Sequence, residues 1–217
     1  MRGSVGVRAQ LARSVWVVLL FSLCPHARAA DNDGPFEIDK RYTYDDHGIW
    51  SRKIQLGLQT SLVLGLIGAA LYEGSDSRLG GTAWKGIDSM LLTAASTQIL
   101  KVAFSRARPS QSEDAGKFFK GKGNRSFPSG EVSNVAAIVT PFALEYGREQ
   151  PWMIAAATGL VVYDGAARMK TRGHWQSDVI AGAALGGGIG WYMHGRSESL
   201  VVSALPGGVF VGFNKRF

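Results

Sequence analysis

The chain has 217 residues and a single cysteine, with 24 lysines and arginines against 17 acids. That length suits one domain, and a lone Cys24 excludes a fold stapled by internal disulfides. Glycine and alanine are plentiful and charge is confined to clusters, the profile of closely packed helices in a membrane or a tight bundle.

Arg2, Arg8 and Arg13 precede a short apolar run, Val15 to Leu23. Cys24-Pro25-His26 breaks the run, and Ala27-Arg28-Ala29 reads as a small-x-small cleavage site. This is the layout of a secretory signal peptide over residues 1–29, and the run is short for an uncleaved anchor. The leader holds four arginines and no acid, so the formal charge of +7 falls to +3 without it. The high isoelectric point is therefore no argument for nucleic-acid binding.

Residues 30–53 are polar and aromatic and read as an exposed lead-in. Ile54 to Tyr72 is nineteen residues without a formal charge, the best candidate for a membrane span. A Gly/Ser/Asp loop separates it from a second helix over about Ala83 to Phe104, and a basic loop follows to Phe127. Pro128-Ser129-Gly130 opens a third helix that Gly147 stops, and Pro151 begins a fourth that reaches about Met169. A fifth runs from about Trp175 to His194. The apolar runs of the last helices are short and look more like core helices than spans. Gly182, Gly186 and Gly190, at four-residue spacing, give the fifth helix a face that another backbone can approach closely, in a membrane or out of one. Residues 197–217 alternate around Pro206-Gly207-Gly208 and read as a hairpin tail. The expected architecture is all-α: a bundle of about five helices over residues 54–196, with a short C-terminal β-hairpin.

Three polar clusters stand at the ends of these helices. Lys101 is followed after six residues by Arg108-Pro109; Ser126-Phe127-Pro128-Ser129-Gly130-Glu131 opens the third helix; Arg168 precedes His174 by five intervening residues, and Asp178 follows after three more. Up-down polarity puts all three on one face of the bundle. Three cations beside the free N–H groups of a helix start suit a multiply charged oxyanion. Arginine can grip phosphate with two parallel hydrogen bonds, while lysine acts as a point charge. His174 and Asp178, four apart at a helix start, share a face, so the carboxylate can set the imidazole tautomer.

This pattern, Lys-(six)-Arg-Pro, Pro-Ser-Gly and Arg-(five)-His-(three)-Asp, resembles the type 2 phosphatidic acid phosphatase superfamily, which includes lipid phosphatases, bacterial acid phosphatases and vanadate haloperoxidases. The resemblance covers roughly residues 54–195. It implies that His174 attacks phosphorus to form a phosphohistidine with Asp178 orienting it. Lys101, Arg108, Arg168, Ser129 and the Gly130 amide would cradle the phosphoryl oxygens. The implied chemistry needs no metal or other cofactor, and the implied substrates are phosphorylated lipids such as phosphatidate, phosphatidylglycerol phosphate, isoprenyl diphosphates or lipid A. The expected place is a bacterial inner membrane with the site facing the periplasm, or the periplasm itself if the chain is a soluble acid phosphatase.

Two positions depart from the family pattern. Ala167 stands where serine is usual, a minor change. Glu131 stands where Pro-Ser-Gly is normally followed by the histidine that protonates the leaving oxygen. Glu131 is expected either to supply that proton itself, or to be a salt-bridge partner of the arginines in a site that binds phosphate and turns over poorly.

Overall fold

The computed structural model describes residues 38–197, 199 and 200; the leader and the C-terminal hairpin lie outside the described residues. Within them a 3-10 turn, Gly48–Trp50, leads into five α-helices: α1 (Arg52–Glu73), α2 (Arg78–Phe104), α3 (Gly130–Tyr146), α4 (Pro151–Lys170) and α5 (Gln176–His194). No strand occurs among the described residues, and the all-α expectation holds for them.

Local chemistry sets the helix ends. The Ser51 and Ser77 hydroxyls accept from the Ile54 and Gly80 amides and cap α1 and α2. Ser105, with φ at 39°, ends α2 in the left-handed conformation, its amide bonded to the Lys101 carbonyl. Pro151 takes the first position of α4, where a missing N–H costs nothing. Two helices begin earlier than their apolar runs, α1 at Arg52 rather than residue 54 and α2 at Arg78 rather than residue 83. In both the first residue is an arginine whose charge is met from a distant part of the bundle: Arg52 by Glu131 of α3, Arg78 by Glu145 of α3 and Glu149 of the turn that follows it. Charge ended the apolar pattern without ending the helix.

The helices run alternately up and down, so one end of the bundle gathers the starts of α1, α3 and α5 and the finishes of α2 and α4. α3 is central and touches each of the other four helices. Its tightest neighbour is α5. A Cβ at Gly186 would sit 1.9 Å from the Ser133 carbonyl oxygen, and one at Gly182 would sit 2.6 Å from that of Ser129. The glycine face predicted from the four-residue spacing thus presses backbone against backbone. That contact lets the Ser129 amide donate to the Asp178 carbonyl at 2.9 Å, which joins the second and third polar clusters.

Around this contact the interior is built of small and β-branched residues: Val132, Val135, Val139, Val161 and Val179 in one cluster, and Leu66, Ala70, Ala83 and Ile138 in another. Such side chains have few rotamers to lose and fill a narrow interhelical space.

The lead-in segment departs from expectation. Residues 38–46 are strapped across the polar end of the bundle. The Asp45 amide donates to the Lys170 carbonyl at 3.0 Å, the Lys40 amide to Gln176 at 2.8 Å, and Arg41 to the Pro109 carbonyl at 3.0 Å. Asp39 is buried there, 2% exposed, because a buried arginine neutralises it.

Candidate active site

Two loops and three helix ends build the polar end. The loop after α2 is pinned to the loop before α5: Trp175 Nε1 donates to the Ala107 carbonyl at 2.9 Å, and the Ser110 amide to the Arg172 carbonyl at 3.1 Å. These bonds hold Arg108 beside the His174 loop. Gly173 is required by the same packing, since a Cβ there would lie 2.2 Å from an Arg168 guanidinium nitrogen. Gly130 likewise accommodates Lys101, whose Cε would be 3.4 Å from a Cβ at that position.

Lys101, Arg108 and Arg168 therefore converge. Burial, and then the charge of Arg108, press the Lys101 ammonium down to about 8. Arg168 is also pushed below its ordinary value, by burial first, with Arg52 and Arg108 adding to the effect. Crowding like charges is unfavourable unless an anion joins them, and the polar groups around them are not all satisfied. Ser129 Oγ, Arg168 Nε and His174 Nδ1 are buried without a hydrogen-bond partner. Each such group costs about 1–3 kcal/mol when left unmet, and all three belong to the clusters read from the sequence. Ser129 is the N-cap of α3 yet makes no side-chain cap bond, so its hydroxyl remains available.

His174 is 3% exposed. Burial is the main influence on its imidazole, with Asp178 opposing and Arg168 and Lys101 assisting, and holds it down to about 4. The ring is thus held neutral at neutral pH. Asp178 faces it, but at 3.7 Å from Nδ1, beyond a hydrogen bond. The reason lies in the other claims on that carboxylate. Oδ1 accepts from Arg106 at 2.6 Å, while Oδ2 accepts from the Trp175 amide at 2.9 Å and from the Ser126 hydroxyl.

Arg106 was one basic residue among several in the sequence; in the structure it is the centre of the site's foundation. It is fully buried and donates to Asp178, Ser177 Oγ and Asp39, each at 2.6 Å, and to the Ala115 carbonyl at 2.7 and 3.0 Å. Ser177 closes the ring by donating its amide and hydroxyl to Asp39 at 2.8 and 2.7 Å. A buried ion pair is tolerable only when its remaining hydrogen-bonding capacity is used, and here it is.

Glu131 reaches the same end, as the anion of an ion pair. Arg52 grips it through both terminal nitrogens, at 2.5 and 2.6 Å; Gln59 donates to Oε2 at 3.2 Å, and Arg168 Nε lies 3.5 Å away. Burial works against the charge, but the Arg52 hydrogen bonds and the Arg168 charge outweigh it, and the carboxyl is held down to about 2. Of the two roles open for Glu131, this geometry supports the salt-bridge partner. Neither other described histidine substitutes: His47 is a surface residue beside Asp45, and His194 bonds Glu145 at the opposite end. No group of three His, Cys, Asp or Glu side chains converges as a metal site among the described residues.

The chain is similar to known phosphatases. A lipid A 1-phosphatase from Porphyromonas gingivalis is 31% identical over 115 residues, which are 53% of this chain and 24% of that protein. One from Rhizobium etli is 42% identical over 94 residues, 41% of this chain and 39% of that protein. The chain thus spans well under half the length of these curated relatives. A transmembrane PAP2-type phosphatidylglycerolphosphate phosphatase from Bacillus subtilis, known from its crystal structure, aligns at 21% identity and a TM-score of 0.41 over 68% of this chain and 70% of that one. The sequence profile of the PAP2 superfamily matches residues 83–199, more than half of the chain. That span contains all three polar clusters from Lys101 to Asp178, and the chain belongs to the PAP2 superfamily.

Proposed function

We propose that the chain is a lipid phosphatase that transfers the phosphoryl group to His174 and then to water. The carrying observation is the convergence of Lys101, Arg108 and Arg168 on a buried, neutral histidine, with the unpartnered Ser129 hydroxyl beside it. His174 Nε2 attacks phosphorus while Nδ1 stays towards Asp178. The 3.7 Å gap is of the kind that tightens when substrate seats. The three cations and the amides at the start of α3 hold the phosphoryl oxygens as charge shifts onto them. Glu131 acts as a positioning residue that ties α1 to Arg168.

The lipid character of the substrate is supported by the bundle's apolar surfaces. A cavity of about 370 Å³ lies between α1, α3 and α4, lined by Leu62, Leu66, Ile138, Phe142, Met153 and Leu160 among others. It begins about one helical turn below Gln59 and Asp164 and is suited to an acyl chain. Phosphate release by the purified full chain in detergent, from a panel of lipid and soluble phosphates, tests the reading. Hydrolysis of lipid phosphates in preference to soluble esters is expected. A protein inert on every phosphate that still binds vanadate would establish a binding-only site, the reading that the Arg52–Glu131 pair favours.

We further propose that the bundle resides in the envelope membrane, anchored by α1. This helix is long and apolar enough to cross a bilayer, with mean hydropathy 1.7, and only 17% of its apolar window is buried. A core helix of a soluble protein would hide most of that surface. Exposed Tyr72, Trp152, Trp191 and Tyr192 collect at the end remote from the site, as aromatic residues do at a membrane–water boundary. An exported N-terminus would then turn the site towards the periplasm. The protein is expected to remain with membranes through high-salt and alkaline washing. Recovery as a monodisperse species without detergent would contradict the anchoring role of α1.

A further inference from the structure

Phosphoryl transfer to His174 leaves the substrate oxygen holding the electron pair of the broken P–O bond. An alkoxide is too basic to depart unaided, and a positioned acid that protonates it is worth about 10²–10⁴-fold. Glu131 does not supply that proton. Both its oxygens accept from Arg52, Gln59 adds another hydrogen bond, and the carboxyl is held down to about 2, mainly by the Arg52 hydrogen bonds against the opposing effect of burial. Asp178 is committed to Arg106, Ser126 and the Trp175 amide. His174 is consumed as the nucleophile, and His47 and His194 do not reach the site. Asp164 lies about one helical turn deeper in the bundle than Arg168 and accepts from Gln59 at 2.9 Å.

The cations differ in what they can release. A guanidinium keeps its protons throughout the working range of an enzyme, so Arg108 and Arg168 supply charge alone. Lys101 can supply charge and a proton. It is 8% exposed, and burial, then the charge of Arg108, hold its ammonium down to about 8. Such a group is charged at neutral pH yet parts with its proton more readily than a solvated lysine.

Its position fits the same task. The last turn of α2 delivers the side chain to the start of α3, where Lys101 Cε would lie 3.4 Å from a Cβ at Gly130. Gly130 stands between the unpartnered Ser129 hydroxyl and Glu131, so the ammonium sits beside the place left without an acid. Nζ donates to the Arg125 carbonyl at 2.9 Å, which fixes it. The carboxylates that act on it from nearby, Asp178 and Glu131, are paired with Arg106 and Arg52. The remaining N–H groups of Lys101 are therefore left for substrate oxygens.

Building on the phosphatase reading, we propose that Lys101 is the general acid of this site and protonates the leaving oxygen as the P–O bond breaks. In the first step His174 Nε2 bonds to phosphorus, the P–O electron pair goes to the leaving oxygen, and that oxygen takes a proton from the Lys101 ammonium. An alcohol departs, and a phosphohistidine faces a neutral amine. In the second step water bonds to phosphorus and gives a proton to Lys101, the P–N electron pair returns to His174, and phosphate leaves. Both residues are then in their starting states.

The test compares kcat/KM of the purified full chain in detergent on a long-chain alkyl phosphate and on a nitrophenyl phosphate carrying the same chain. Lys101→Arg keeps the charge and cannot release the proton; Lys101→Gln loses both. Each variant is expected to lose about 10²-fold more rate on the alkyl substrate than on the aryl one, whose leaving oxygen needs no protonation. Continued turnover of the aryl phosphate reports that the variant is folded and still holds phosphate. For the wild type on the alkyl substrate, kcat/KM should fall as pH rises through about 8, since the acid must be protonated, and Lys101→Arg should lack that fall. Equal losses on the two substrates in both variants, complete loss included, would make Lys101 a charge alone and overturn the proposal while the phosphatase reading stands. A differential loss found in Asp164→Asn in place of the Lys101 variants would do the same, as would a fall with pH that persists in Lys101→Arg. A wild type inert on both substrates would overturn both.

Discussion

His174→Ala is expected to lower phosphate release by at least about 10⁴-fold while the bundle stays folded. The size follows from the chemistry: without the imidazole no covalent intermediate forms, and what remains is electrostatic positioning of a water molecule by the cations. The fold should tolerate the change because the ring makes no hydrogen bond that holds an element in place, its Nδ1 being unpartnered. Circular dichroism and the thermal midpoint separate this outcome from misfolding. Asp178→Asn is a less clean probe, since the same carboxylate serves Arg106, Ser126 and the Trp175 amide. Its loss would mix a disturbed imidazole with a disturbed foundation.

Arg106→Met is expected to destabilise the protein by about 3–5 kcal/mol, the cost of leaving buried charge uncompensated. Asp39 and Asp178, both buried, would face each other across a lost guanidinium, with Ser177 as a poor substitute. Activity should fall as well, because Asp178 would be free to shift relative to His174. Denaturant unfolding in detergent measures the first effect. Pairing Arg106→Met with Asp39→Asn should recover part of the loss, because the second change removes one uncompensated charge. Strictly additive effects of the two substitutions would show that the buried pair is not coupled.

The two predictions rest on residues of unequal visibility in the sequence. His174 and its cation partners could be found because they stand at fixed spacings beside helix ends, where chain direction alone brings them together. The Gly182, Gly186 and Gly190 face was visible for a similar reason: one helical period repeated three times. Arg106 gave no such sign. Its partners lie 67 and 72 residues away in sequence, and no period or local motif connects them. Asp39 and Arg52 were hidden in a segment whose polarity suggested exposure. Their charges are buried or half-buried because each meets an opposite charge from a distant element, Arg52 meeting Glu131 across 79 residues. The sequence marked Glu131 as unusual but left two roles open. Only the position of Arg52, which no family motif includes, favours one of them.

The claim that everything else depends on is a covalent phosphate on His174. Rapid acid-free quenching of the full chain during turnover of a lipid phosphate labelled in its terminal phosphoryl group, followed by peptide mass spectrometry under alkaline conditions, tests it directly. A labelled, acid-labile phosphate is expected on the peptide containing His174, chased away on further incubation and missing in His174→Ala. Turnover with no phosphate on that peptide, or with the label on another residue, would contradict it.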